Sequence, residues 1–158
     1  PCSKSRVVKQ PLVWPNTTTP FYANRIENLQ RRESFWHHYC WKFIYFWLLR
    51  GTPYAPQVND YILFLEEAEE DDYHDFDRNL AAILQAYPNP KAVLIGRFPK
   101  ECQITPEVLT YILDKHPLLK SIPVMYDLDF AHTQPLFTII IGAQASIDTD
   151  TLSIHIEE

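Results

Sequence analysis

The sequence predicts a mixed α/β layer structure in which strands and helices alternate before a β ending. Three observations predict it. Short apolar runs of strand length take turns with segments of helical period, and proline or an N-cap residue punctuates the changes. The chain has 158 residues, 46% hydrophobic and 22% charged, which suffices for one domain with a sizeable core and leaves no room for a second.

Residues 1–24 mix Pro, Thr and Lys without period and read as a linker, leaving one domain over 25–158. The run Tyr61-Ile62-Leu63-Phe64-Leu65 reads as a buried strand that delivers Glu66 at its end. An acidic stretch follows, and then Phe76, Leu80, Ile83, Leu84 and Tyr87 recur at helical spacing until Pro88-Asn89-Pro90 stops them. Ala92 to Gly96 is a second buried strand. Thr105-Pro106-Glu107 supplies an N-cap, a proline at the first helical position and an acid in the first turn, opening a helix through Val108, Leu109, Ile112 and Leu113 that His116-Pro117 ends. Strands are then expected over 122–126, 136–141 and 152–156, with His132 in the loop after the first, a turn near Gly142 and another at Asp148-Thr149-Asp150. In such an order function is expected at strand ends.

The formal net charge of -6 and pI near 5.5, without a Lys/Arg cluster, disfavour nucleic acid and anionic lipid as partners. Cys2, Cys40 and Cys102 show no CxxC or zinc-like spacing, which fits a reducing, cytoplasmic setting with no disulfide framework and no structural metal. The longest apolar run, Phe43 to Leu49, is far short of the roughly 20 residues that span a bilayer, so no membrane association is expected.

Glu66 and His132 both stand where a strand stops, a position that suits catalysis, although a single Glu in an acidic run is ordinarily a solvated acid and a single His ordinarily structural. His37, His38 and Cys40 match no standard metal site, because adjacent histidines diverge in a strand. The run Glu67, Glu69, Glu70, Asp71 and Asp72 lacks the pattern of a calcium loop and reads as a solvated edge. Cys102, with only Lys100 as a basic neighbour in sequence, reads as a structural thiol.

Four blocks, LLRGTPYAP (48–56), DYILFLEEAEEDDYHDFDRNL (60–80), AVLIGRF (92–98) and IPVMYDLDFAHTQPLFTIIIG (122–142), resemble in content and order the C-terminal domain of the LD-carboxypeptidase and microcin-immunity serine peptidases. The resemblance covers residues 48–158 nearly throughout. It implies an incomplete layered domain of the swivelling β/β/α-like type, and it implies that Glu66 orients His132, the general base. The nucleophilic serine of that family belongs to a GxSD-type motif in a preceding domain. None of Ser3, Ser5, Ser34, Ser121, Ser146 or Ser153 follows a glycine at that spacing. By the same resemblance Arg78 has a structural ion-pairing role, no cofactor or metal is required, and the intact enzyme is a homodimer. Its substrate would be a murein peptide cut before a terminal D-amino acid, or the peptide-nucleotide of a microcin-type antibiotic. Ala131 departs from the family's glycine; the extra methyl is harmless unless the backbone there needs positive φ.

One window does not fit. Where the family carries a glycine-rich segment resembling GxIIGGNLxTL, residues 25–47 read RIENLQRRESFWHHYCWKFIYFW, with Trp36, Trp41 and Trp47 crowded together. Only Gly51, Gly96 and Gly142 occur in the whole chain, against a usual content of about 7%. Read one base later, each TGG codon becomes glycine, and Phe35 to Trp47 admits FGTIIAGNLSTFG, leading directly into LLRGT. Residues 25–47 are therefore expected to be out of frame; the rival is an aromatic patch for a partner.

Overall fold

The computed structural model describes residues 36–40, 48–134, 136–148 and 153–157. The expected linker over 1–24 and most of the window 25–47 lie outside the described residues. Among the described residues six strands form one sheet: β1 (Trp36–Cys40), β2 (Tyr61–Leu65), β3 (Pro90–Gly96), β4 (Val124–Leu128), β5 (Gln144–Asp148) and β6 (Ser153–Glu157). Their spatial order is β4-β3-β2-β1-β5-β6, parallel from β4 through β1 and antiparallel from β1 through β5 to β6. Two helices, α1 (Tyr73–Ala86) and α2 (Pro106–Asp114), occupy the β2–β3 and β3–β4 connections.

All five residues of β2 are buried, as a parallel strand paired on both edges and covered on both faces requires. Alternation divides them. Tyr61, Leu63 and Leu65 join Phe76, Leu80, Ile83, Leu109 and Ile112 in a core under the helices. Ile62 and Phe64 join Leu94, Met125, Phe130, Ala145 and Ile147 on the opposite face. The Phe64 and Phe130 rings meet there at 5.4 Å.

Both helices begin where local chemistry tells them to. Asp72 accepts from the N–H groups of His74 at 2.8 Å and Asp75 at 3.1 Å, while the Asp75 carboxylate accepts from the Asp72 N–H at 3.3 Å, closing a capping box. Thr105 caps α2 by accepting from Val108 N–H at 3.3 Å, with Pro106 in the first turn. The α1 stripe is so apolar that Phe76 and Leu80 are fully buried.

Two expected strands moved. β4 starts at Val124 rather than residue 122, because Pro123 has no N–H to donate and contributes only its carbonyl, which accepts from Val93 N–H at 2.9 Å. The run 136–141 is not a strand; residues 144–148 take the edge of β1 instead. Its apolar composition favours extended backbone, but a strand also needs a partner edge. Here Phe137 donates its N–H to Asp129 O at 2.7 Å, and Leu136, Phe137, Ile140 and Ile141 stay exposed. Gly142, with φ of 82°, makes the expected turn.

Candidate active site

β2 ends at Leu65 and β4 at Leu128, on neighbouring sides of β3 and pointing the same way, so the residues just past them share one edge of the sheet. Glu66 and His132 meet there. His132 Nδ1 lies 3.4 Å from Glu66 Oε2, with the imidazole 42% exposed and the carboxylate 16%. That separation is longer than a charge-assisted hydrogen bond, a looseness common in sites without substrate. A half-buried carboxylate facing one ring nitrogen leaves the other ring nitrogen to exchange a proton.

The His132 loop is seated on the end of β3. A Cβ added at Gly96 would stand 2.6 Å from the Phe130 carbonyl oxygen and 2.9 Å from Ala131 Cβ, so only glycine admits this approach. Ala131 adopts φ of 95°. The backbone there does need positive φ, and the alanine is accordingly strained rather than harmless. Arg97 follows Gly96 and reaches across the loop. Its Nε donates to Asp127 Oδ1 at 3.1 Å, Nη2 to Asp129, and Nη1 to the Gln134 carbonyl at 3.1 Å. Sequence reasoning missed it, since an arginine after a strand carries no local mark; the two aspartates just before the histidine were the available hint.

Glu67 corrects the reading of the acidic run as a solvated edge. One step past Glu66, it turns to the helix side of the sheet and is 1% exposed. Burial, with the Asp71 carboxyl next, pushes its pKa up to about 8. Asp71 and Asn79 face it, with Asp75 and Cys102 also near, and Asn79 is itself fully buried on α1. Asp72 is a helix cap, whereas Glu69 and Glu70 are exposed as expected. Cys102 is buried, donates to Ala68 O at 3.1 Å, and has its thiol pushed up to about 11 by burial, so it is a structural thiol. Arg78 pairs with Asp75 one turn earlier on α1. His37, His38 and Cys40 are positions of the single strand β1, in backbone register with Tyr61, Ile62 and Phe64. Of the serines, Ser121 donates to Leu118 O at 2.7 Å in a tight turn, and Ser146 is buried in β5 opposite His155. Ser3, Ser5 and Ser34 lie outside the described residues. A concavity of about 710 Å³ lined by Arg50, Asn59, Tyr61, Gln85 and Tyr87 opens at the other end of β2, away from the Glu66–His132 pair.

Among the described residues no helix is long and apolar enough to cross a membrane. The profile of the LD-carboxypeptidase C-terminal domain matches residues 44–147. A Treponema pallidum (strain Nichols) protein named as a carboxypeptidase is 34% identical over 112 residues, 70% of this chain and 33% of the relative. The microcin C7 self-immunity protein MccF of Escherichia coli is 28% identical over 116 residues, 68% of this chain and 32% of its own. A solved structure of MccF in complex with glutamyl sulfamoyl guanosine aligns with a TM-score of 0.62 at 25% identity, covering 78% of this chain and 38% of that one. A MccF-like protein from Bacillus anthracis str. Ames gives a TM-score of 0.72 at 31% identity, over 78% of this chain and 40% of that one. The chain thus spans about a third of the length of the curated relatives it matches.

Proposed function

This chain belongs to the LD-carboxypeptidase family through its C-terminal domain, and on that premise we propose that Glu66 and His132 are the orienting acid and general base of a serine peptidase acting on a peptide with a terminal D-amino acid. The observation that carries the reading is the meeting of Nδ1 and Oε2 at 3.4 Å between residues that come from separate strand ends. Glu66 holds the proton on Nδ1 and stabilises the imidazolium; Nε2 takes the proton of a serine hydroxyl as its oxygen attacks the scissile carbonyl. His132 then returns that proton to the leaving amine, and water, deprotonated the same way, releases the acyl group. The serine and its oxyanion donors come from a preceding domain, which matches the third of the relatives' length spanned here. A murein tetrapeptide losing D-alanine, in a cytoplasmic recycling role, is the favoured substrate. The similarity to MccF supports a peptide-nucleotide antibiotic as the second reading.

Incubation with a murein tetrapeptide tests this. The chain alone should release no D-alanine, because an acid and a base without nucleophile retain little of a unit that works non-additively. Fused behind the nucleophile domain of a relative it should do so. Release by the chain alone, or a fusion whose rate ignores His132→Ala, overturns the assignment.

Residues 25–47 belong to the same proposal as misread text. β1 is an interior strand, paired with β2 on one edge and β5 on the other, where β-branched residues are favoured. The shifted text offers Ile or Thr at three consecutive positions where Trp36–Cys40 now stands, and the family match begins at residue 44 as the divergent window closes. Resequencing should find compensating one-base changes near both ends. Clean in-frame TGG codons, with a peptide containing HHYCWK recovered from the expressed protein, would exclude it.

A further inference from the structure

We propose that Arg97 is the positioning residue of the general base: its guanidinium clamps both limbs of the His132 loop and thereby keeps Nδ1 against Glu66. The inference rests on the Glu66–His132 reading above. The loop enters through Asp127 and Asp129 and leaves through Gln134, and Arg97 holds all three, two by their carboxylates and one by its carbonyl. Every nitrogen of the fork is used, and the side chain is 27% exposed, so the grip is partly shielded from water. The Arg97 main chain adds to it, its N–H donating to Leu128 O at 3.0 Å and its carbonyl accepting from Thr133 Oγ1 at 3.5 Å. Phe137 N–H closes the loop base on Asp129 O at 2.7 Å.

The clamp has something to resist. Asp127 and Ala131 both take positive φ, at 61° and 95°, which non-glycine residues leave when they are released. His132 is next to the second of them and is 42% exposed, so little packing fixes its ring directly. Position is therefore imposed from the β3 end, through Gly96 beneath the loop and Arg97 across it.

The test is the tautomer of the neutral His132 ring, read from imidazole ¹⁵N shifts in the full chain. Glu66 beside Nδ1 selects the Nδ1–H form, whereas a released imidazole in water prefers Nε2–H. Arg97→Gln should lower the Nδ1–H to Nε2–H ratio about tenfold. Arg97→Lys keeps the charge but loses the fork and should fall between. Backbone amides of Ile62, Leu94 and Met125 report whether the sheet survives. If Arg97→Gln unfolds, Asp129→Asn, which removes one grip, must shift the ratio in the same direction. Glu66→Gln separates the two ideas: a ratio unmoved by it defeats the acid–base pair. A ratio that collapses in Glu66→Gln yet stands unchanged in Arg97→Gln and Asp129→Asn defeats the clamp alone.

Discussion

Glu66 and Glu67 are neighbours in sequence and opposites in circumstance. Glu66 turns to the loop face, meets His132 at 3.4 Å and keeps contact with water. Glu67 turns to the helix face, is 1% exposed beside Asn79, and holds its proton up to about pH 8. Identical side chains one residue apart are thus an accessible carboxylate and a buried acid, because strand alternation sends them to different sides of the sheet. What a glutamate can do here depends on the face it occupies, and the helix face is built for packing.

The sharpest break of that contrast is chemical. In a fusion carrying the nucleophile, Glu66→Gln or His132→Ala should cut kcat by about 10³-fold or more, while Glu67→Gln leaves it within severalfold of the parent. Equal losses at Glu66 and Glu67 would erase the distinction between faces.

Next in size is Phe76→Ala on the helix face. The ring is fully buried and stands edge-on to Phe98 at 5.0 Å, so its removal should cost about 3–5 kcal/mol in urea unfolding. The His132 tautomer of the folded fraction should not change. If it does, the faces are coupled more tightly than their separate cores suggest.

Glu67 makes a pH prediction of opposite sign to the usual carboxylate. Its folded pKa is raised from 4.5 to about 8, so its contribution is fully present below the unfolded value and is lost as pH rises through the folded one. The parent should weaken between about pH 5 and pH 8 relative to Glu67→Gln, the gap reaching a few kcal/mol at roughly 1.4 kcal/mol per pH unit. Paired melts across that range measure it, and parallel curves would show that Glu67 ionises freely. Cys102, Asp71 and Asp75 lie near Glu67 and are present in both proteins.

The smallest effect belongs to the loop face. Ala131→Gly relieves a φ of 95°, worth about 1–2 kcal/mol, against a smaller loss from the freer unfolded chain. A net gain of about 1 kcal/mol in denaturant is expected, and a loss would mean that the Ala131 methyl packs better than its backbone suffers.

Much of this was legible beforehand. The cap Thr105 sits beside the helix it starts, and the apolar runs of β2 and β3 announce buried strands, because each signal lies within a few residues of its effect; the cap Asp72 went unread inside the acidic run. The run 136–141 misled for the complementary reason: propensity is local, but the vacant edge of β1 was filled by 144–148. Glu66 and His132 could be singled out at strand ends, yet 66 residues separate them and nothing nearby in sequence says that they touch.

By itself, then, the sequence determined the type and order of most of the main elements, the cap Thr105, and the four blocks through which the chain resembles its family. Tertiary structure alone decided which face each glutamate occupies, that Ala131 must bear a positive φ, and that Arg97 spans the histidine loop from 30 to 37 residues away. Periodicity and capping are interactions between near neighbours and can be read along the chain. A clamp between strand ends exists only once the order β4-β3-β2 has set those ends side by side.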